Sequence, residues 1–174
     1  MTGLLTSGGC YRRRHLRTQG CRHLSAKSRT QGSPFSLLLV KLINLDHVAI
    51  AVHDLELALD GYRTRYRVEP LYREVVEAQG VEEAMIPVGG SFVQLLRPLG
   101  ADTPVGRFLE SKGEGLHHVA YAVASIDIAL EHLREEGARL VDESARPGGR
   151  GTRIAFVHPA DLTGTLIELV ELPS

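Results

Sequence analysis

The sequence predicts an α+β fold in which one small strand–helix unit is used twice. Two observations predict it. Residues 47–59 and 118–130 are nearly the same in sequence, and each stretch begins with a histidine. Each is followed by a later apolar strand with one polar residue at its centre, Gln94 in the first copy and Glu168 in the second. Such a repeat predicts pseudo-symmetric modules, in which each residue of one copy has a counterpart in the other.

Each repeated stretch is predicted to form a strand and then a helix. With a period of two, His47 and two alanines share one face of the first strand, and larger apolar side chains share the other. Asp54, and Ser125 in the second copy, are placed to cap a helix whose apolar residues recur at helical spacing. We expect the helix to pack on the larger apolar face. The opposite face, with its histidine beside small alanines, is expected to form an open concavity for a ligand.

Four polar residues occupy equivalent places on these otherwise apolar strands: His47, Gln94, His118 and Glu168. A buried polar side chain without a partner costs about 1 to 3 kcal/mol, and one divalent cation would serve all four as a partner. Two imidazoles with oxygen donors favour a transition metal over calcium or magnesium, and the lack of thiolates disfavours a closed structural zinc site. The alternative is that both histidines are ordinary residues at strand starts and that Gln94 and Glu168 face solvent.

The sequence resembles the vicinal oxygen chelate superfamily, which has the glyoxalase fold, and within it the methylmalonyl-CoA epimerase family. The resemblance covers residues 45–172. The segments that carry it are Leu-Asp-His-Val-Ala-Ile-Ala-Val at 45–52, Gln-Gly-Val-Glu-Glu-Ala-Met at 79–85, Val-Gln-Leu-Leu-Arg-Pro-Leu at 93–99, Gly-Glu-Gly-Leu-His-His-Val-Ala at 113–120, Phe-Val-His-Pro at 156–159 and Leu-Ile-Glu-Leu at 166–169. It implies two tandem βαβββ modules, at about 42–100 and 113–174, that form an open barrel around a metal site.

The resemblance also implies an isomerase that interconverts (R)- and (S)-methylmalonyl-CoA by moving one proton through an enolate. By the same resemblance the metal ligands are His47, Gln94, His118 and Glu168. The implied cation is Co²⁺ or Mn²⁺, with Ni²⁺ or Zn²⁺ as alternatives. The implied bases, one on each side of the enolate, are Glu83 and Glu168. An acyl-CoA substrate and a homodimer complete the expectation.

The residues around Glu83 support its role in part. A period of two places Glu83 with Met85 and Pro87 on one face of a strand, and desolvation among apolar neighbours raises a carboxyl pKa toward the range useful for a base. The alternative is that Glu82 and Glu83 form a charged strand entrance. His117 is expected on the strand face opposite His118, either behind the ligands or in the core.

The basic loop 146–153 has two open interpretations. Its arginines and backbone amides are suited to a substrate carboxylate or to CoA phosphates, but the composition is also typical of a flexible solvated hairpin.

Arg67 stands where the family commonly has a glycine after the first helix. This departure places the geometry of the helix end in question.

The first 41 residues differ in composition from the rest. All 21 acidic residues lie at or after Asp46, and the two cysteines, Cys10 and Cys21, lie before it, so a basic leader precedes an acidic domain. We expect residues 1–41 to be disordered and without catalytic role, and residues 42–174 to form a single domain. The arginine and serine content also fits a targeting peptide, although glycines and an arginine run interrupt an amphipathic helix.

These features bound the partners and the compartment. No apolar run approaches the roughly 18 residues needed to span a bilayer, so no membrane partner is expected. A nucleic-acid-binding arm is disfavoured because neither aromatic interleaving nor a partner fold accompanies the basic charge, so no nucleic-acid partner is expected either. A cytoplasmic protein is the first expectation, and the mitochondrial matrix is the alternative if the leader is a transit peptide.

Three rival functions stay open. A lactoylglutathione lyase of the same superfamily also uses histidine, glutamine and glutamate for proton transfer, but the run at 79–83 and the doublet His117-His118 favour the epimerase. An extradiol dioxygenase would need iron on two histidines and one glutamate, without a ligand at position 94. A non-enzymatic small-molecule-binding protein of the superfamily predicts no metal ligands at all.

Overall fold

The computed structural model describes residues 41–161 and 164–173. The expectation of a disordered leader therefore lies outside the described residues, except for Lys41. The elements are β1 (Leu42–Ala51), α1 (Leu55–Tyr66), β2 (Tyr72–Val76), β3 (Val81–Val88), β4 (Ser91–Pro98), α2 (Pro104–Lys112), β5 (Gly115–Val123), α3 (Ile126–Glu135), β6 (Arg146–Pro147), β7 (Arg153–Val157) and β8 (Leu166–Glu171).

The strands form one eight-stranded sheet in the order β2-β3-β4-β1-β5-β8-β7-β6. In each half the first strand pairs in parallel with the last, β1 with β4 and β5 with β8. The two halves join through the antiparallel pair β1–β5 at the centre of the sheet. The predicted pair of βαβββ modules is confirmed, with α2 in the connection between them.

The two module helices begin and pack as predicted. Asp54 Oδ1 accepts the Leu57 N–H at 3.0 Å at the start of α1, and the Ser125 hydroxyl accepts the Ile128 N–H at the start of α3. Helix α1 buries Leu55 and Leu59 on the face of β1 that carries Ile50. Helix α3 packs in the same way on the equivalent face of β5. Among the described helices, none is long and apolar enough to cross a membrane.

Helix α2 covers the alanine face of β1, which the sequence predicted to be an open concavity. Ala49 and Ala51 are fully buried and pack in one cluster with Val105 and Leu109 of α2. The prediction is wrong at these two positions because the small side chains admit a helix rather than a ligand. Thr103 caps this helix by accepting the Gly106 N–H at 3.1 Å.

Three register shifts interrupt the central pair of strands, and two of them are β-bulges beside the histidines. Leu45 pairs with Tyr121 and His47 with Ala120, so Asp46 is the extra residue on β1. On β5, His118 pairs with Ala49 and Leu116 with Ile50, so His117 is the extra residue there. A bulge breaks the alternation of side chains between faces.

The bulge on β5 changes the position predicted for His117. The strand pattern predicts this residue on the face opposite His118, and that prediction is wrong. The two Nδ1 atoms lie 2.8 Å apart, so both rings occupy the same side of the strand. His117 also contacts the Phe108 ring of α2, with ring centres 4.9 Å apart.

Arg67 ends α1 in a left-handed conformation. Its φ is 56° and its N–H donates to the Arg63 carbonyl at 3.1 Å. Glycine is favoured at this position of a helix end because a Cβ clashes with the backbone at positive φ. The departure from the family pattern therefore falls on a strained residue.

Candidate active site

Three buried side chains from three strands meet at the centre of the sheet. The Nε2 atoms of His47 on β1 and His118 on β5 lie 3.1 Å apart. Glu168 Oε2 on β8 lies 3.0 Å from the first nitrogen and 3.1 Å from the second. All three side chains are about 5% exposed or less. Such a cluster of two imidazoles and one carboxylate is a candidate metal centre.

Gln94 lies at the place in the first module that Glu168 occupies in the second. On β4, Gln94 pairs with Ala49, and on β8, Glu168 pairs with Ala120, the counterpart of Ala49. The Gln94 side-chain Nε2 donates to Glu83 Oε2 at 2.8 Å. Its Oε1 is buried and has no hydrogen-bond partner within residues 41–161 and 164–173.

The unpartnered oxygen of Gln94 bears on whether the residues of this site suit a divalent cation. A buried amide oxygen without a partner costs about 1 to 3 kcal/mol, which a cation beside it would remove. Two imidazole nitrogens, one carboxylate oxygen and one amide oxygen are a donor set suited to a divalent transition metal. The residues present therefore fit such an ion.

Each histidine has a partner on its outer nitrogen. The His47 Nδ1–H donates to Asp46 Oδ1 at 2.7 Å, and the Arg150 Nη2 donates to the same oxygen at 2.6 Å. His118 Nδ1 faces His117 Nδ1 at 2.8 Å. Asp46 and His117, the bulged residues, thus stand directly behind the candidate metal centre.

The charges of this cluster shift its pKa values in opposite directions. Burial acts to raise the pKa of Glu168, but hydrogen bonds from His118 and His47 and their charges outweigh it and lower that pKa to about 2. Burial acts to lower the pKa of His47, but the carboxylates of Asp46 and Glu168 outweigh it and raise that pKa to about 9. A cation at Nε2 of His47 must therefore displace a proton.

The pKa of Glu83 on β3 is shifted in the opposite direction to the pKa of Glu168. Its side chain is 2% exposed, and burial, followed by the nearby charge of Glu74, raises its pKa to about 7. A carboxyl group with this pKa exchanges protons readily near neutral pH. The predicted rise in the pKa of Glu83 is thus present, and the alternative of a charged strand entrance applies only to Glu82, which pairs with Arg97 and Arg73.

The basic loop closes one side of the pocket. Arg150 donates its backbone N–H to Glu74 Oε1 on β2 at 2.7 Å, and its guanidinium lies 5.3 Å from the centre of the Phe92 ring. A Cβ at Gly149 would overlap Glu83 Oε1, so the loop backbone passes directly over that carboxyl. The pocket is lined by His47, Gln79, Glu83, Gln94, Gly149, Arg150, Thr152, Ile154, Glu168 and Val170.

Comparison with known proteins places the chain in a family. The model of the Glyoxalase/Bleomycin resistance protein/Dioxygenase superfamily matches residues 46–156. A Cereibacter sphaeroides protein named ethylmalonyl-CoA/methylmalonyl-CoA epimerase is 38% identical over 131 residues, which are 74% of this chain and 97% of that protein. The mitochondrial methylmalonyl-CoA epimerase of Bos taurus is 37% identical over 126 residues, 72% of each chain. The chain belongs to the methylmalonyl-CoA epimerase family.

A solved structure supports the same assignment. A variant of Streptomyces coelicolor methylmalonyl-CoA epimerase in complex with 2-nitronate-propionyl-CoA is 40% identical, with a TM-score of 0.74. The match covers 77% of this chain and 97% of that one. The resemblance seen in the sequence and the glyoxalase-like fold that it implied are both confirmed.

All five residues predicted for the site lie around one pocket, although their roles stay predictions. His118 stands just behind the pocket lining, and the other four line it. The two modules are not equivalent there. Glu83 lies two residues before the partner of Gln94 on its strand, and the same position in the second module holds Ile154. Only the first module therefore places a carboxyl at this point.

Sequence reasoning misses three residues of the site. It treats Asp46 only as part of a family motif, gives no role to Glu74 and leaves two alternatives open for the loop that holds Arg150. The signal that could have found Asp46 is an acidic residue directly before the first histidine, at the position that His117 holds in the second copy. The contact of Glu74 with Arg150 joins residues 76 positions apart and leaves no local pattern.

Proposed function

We propose that this protein interconverts the (R) and (S) epimers of methylmalonyl-CoA by a two-base proton transfer. The observation that carries the proposal is a pair of buried carboxyl groups, Glu83 and Glu168, in one pocket with an amide and two imidazoles. A 1,1-proton transfer needs one base on each side of a planar intermediate. Family membership supports methylmalonyl-CoA as the substrate.

His47, Gln94, His118 and Glu168 are proposed to hold one divalent cation, with Co²⁺ or Mn²⁺ preferred. When bound, this ion supplies a Lewis acid that stabilises the negative charge developing on the thioester oxygen. Gln94 then has two tasks, since its buried oxygen has no partner among the described residues and is proposed as a ligand, while its Nε2 holds Glu83. The base is thereby fixed relative to the site.

The two carboxyl groups exchange the α-proton with opposite faces of the substrate. Glu83 removes or returns it on one side, and its pKa of about 7 suits it to do so near neutral pH. Glu168 acts on the other side. Its Oε2 contacts both histidine rings, which leaves Oε1 for the proton. Ile154 takes the place equivalent to Glu83, so the second module has no separate base. Glu168 is therefore proposed to act both as a metal ligand and as the second base.

The oligomeric state and the compartment stay predictions. A homodimer is proposed, and light scattering of the purified protein measures it. A cytoplasmic location is proposed, with the mitochondrial matrix as the alternative because the bovine relative is a mitochondrial protein. Imaging of the tagged full-length chain decides between the two.

Proton exchange in deuterated water tests the proposed chemistry. The wild-type protein should incorporate deuterium at the α-carbon of methylmalonyl-CoA while inverting it. Glu83→Gln should lower epimerisation by about 10²- to 10⁴-fold, since one positioned base is lost, while slow exchange from the Glu168 side persists. The neighbouring Glu82→Gln is the matched control, because Glu82 pairs with two arginines away from the pocket.

The same assay also distinguishes the proposed epimerase from the nearest rival function. A wild-type protein that ignores methylmalonyl-CoA but isomerises a glutathione hemithioacetal would overturn the epimerase proposal. It would favour a lactoylglutathione lyase on the same fold.

A further inference from the structure

The two bulges beside the histidines of the central strands share a property that the proposed chemistry does not use. Each inserts one extra residue directly before a candidate metal-binding histidine, Asp46 before His47 and His117 before His118. In both cases the bulged side chain contacts the Nδ1 atom of the histidine that follows. Regular strand alternation would send both side chains to the far face of the sheet, so these contacts exist only because of the bulges.

Asp46 determines which nitrogen of His47 carries the hydrogen. Its Oδ1 lies 2.7 Å from His47 Nδ1, and a carboxylate can only accept a hydrogen bond. The hydrogen therefore lies on Nδ1 in the neutral ring, and the lone pair of Nε2 points to His118 and Glu168. Arg150 from the second module donates to the same oxygen at 2.6 Å and holds the carboxylate in place.

His117 stands in the equivalent place behind His118, with a ring nitrogen where Asp46 has a carboxylate oxygen. A separation of 2.8 Å between the Nδ1 atoms of His117 and His118 requires a hydrogen on one of them. When His118 donates it, the Nε2 lone pair of His118 is free to face Glu168. The ring of His117 is braced from behind by Phe108 of α2, in edge-to-face contact.

We propose that Asp46 and His117 are paired positioning residues, each of which fixes the tautomer and orientation of one metal-binding histidine through its Nδ1 atom. The inference rests on the cation site of the proposed function but not on the reaction catalysed there. The pair is unequal, because the carboxylate of Asp46 can only accept and is held by Arg150, whereas the ring nitrogen of His117 can accept or donate. Loss of Asp46 should therefore weaken metal binding more than loss of His117.

The test measures the affinity of the full-length protein for Co²⁺ alone, by competition with a chromophoric chelator. Asp46→Asn and His117→Leu should each weaken binding by about 10- to 100-fold, the effect typical of residues that orient metal ligands, with Asp46→Asn at the larger end. His117→Gln, which restores an acceptor, should recover affinity to near that of the wild type. The visible absorption band of bound Co²⁺ should shift in Asp46→Asn, which a purely structural role would not cause.

Controls keep the outcomes distinct. Glu171→Gln removes a half-buried carboxylate that pairs with Arg153 on the second module, and it should leave Co²⁺ affinity unchanged. Thermal melts identify any variant that fails to fold, in which case Asp46→Glu replaces Asp46→Asn and His117→Ala replaces His117→Leu. Each replacement should bind Co²⁺ measurably more weakly than Glu171→Gln, because it displaces or removes the acceptor on Nδ1.

Three results have different meanings. If folded Asp46→Asn and His117→Leu bind Co²⁺ within twofold of the wild type, this inference is wrong. If the wild type itself does not bind Co²⁺, the inference falls together with the cation site. If the wild type binds Co²⁺ and the variants weaken it, the inference stands even where methylmalonyl-CoA proves not to be the substrate.

Discussion

Replacing Glu83 with glutamine should stabilise the fold while it removes activity. Burial and the charge of Glu74 raise the pKa of Glu83 from 4.5 to about 7, so the folded protein binds this proton more tightly than the unfolded chain does. The shift corresponds to about 3 kcal/mol of lost stability wherever the group is ionised in both states. Glutamine carries no charge and can still accept the hydrogen bond from Gln94.

The pH dependence gives the sign of the effect. Below pH 4.5 the Glu83 carboxyl is protonated in both the folded and the unfolded protein, so it causes no loss of folding stability. The penalty grows as the pH rises from 4.5 to about 7 and is complete above that value. The free energy of unfolding of Glu83→Gln should therefore exceed that of the wild type by a few kcal/mol at about pH 8 and by much less at about pH 5.

The assay is urea unfolding of the metal-free protein at both pH values. A bound cation would itself raise the free energy of unfolding in a pH-dependent way and would obscure the contribution of Glu83. Glu82→Gln is the control. The arginines beside Glu82 lower its pKa, so this substitution should destabilise rather than stabilise at about pH 8 and retain epimerisation. Equal stabilities of wild type and Glu83→Gln at that pH would refute the reasoning, because the penalty on an ionised Glu83 would then be absent.

Four further outcomes follow from the structure. His118→Ala should lose the cation, measured by elemental analysis after dialysis, and full occupancy would contradict the ligand assignment. Gly149→Ala should lower kcat/KM by about 10- to 100-fold with little change in melting temperature, because the new Cβ overlaps the Glu83 carboxyl and displaces it. Arg67→Gly should raise stability by about 1 kcal/mol in thermal melts, since it relieves a left-handed non-glycine residue; an unchanged melt would argue against strain. Deletion of residues 1–39 should leave turnover and melting temperature unchanged, as every described strand and helix begins at or after Leu42, and a large fall in melting temperature would show that the leader packs on the domain.

The repeat makes much of the fold predictable. Strand alternation, helix caps and the polar residue in each closing strand are local or periodic signals, and they lead to His47, Gln94, His118 and Glu168. Pseudo-symmetry then brings these residues together, because β1 and β5 are neighbours and each lies beside the closing strand of its own module. A site made from equivalent positions of a duplicated unit can thus be predicted from the sequence alone.

The features that the sequence does not predict break the period or join distant parts of the chain. A bulge shifts side-chain alternation by one residue, so strand periodicity predicts the wrong face for His117. Helix α2 fills the alanine face, and nothing in the strand pattern distinguishes room for a helix from room for a ligand. The ion pair of Arg150 with Asp46 spans 104 positions, and no spacing rule reaches so far.

The central seam between β1 and β5 has a consequence for how the molecule assembles. Each module can form its own helix and most of its own strand pairs from contacts near in sequence, which fold quickly. Each module holds only two of the four proposed ligands, so the complete cation site comes into existence only when the seam closes. Until then β1 and β5 each present an open strand edge, and such an edge readily pairs with a second chain. Separately expressed halves should therefore dock through this same seam, and an isolated half should associate with itself.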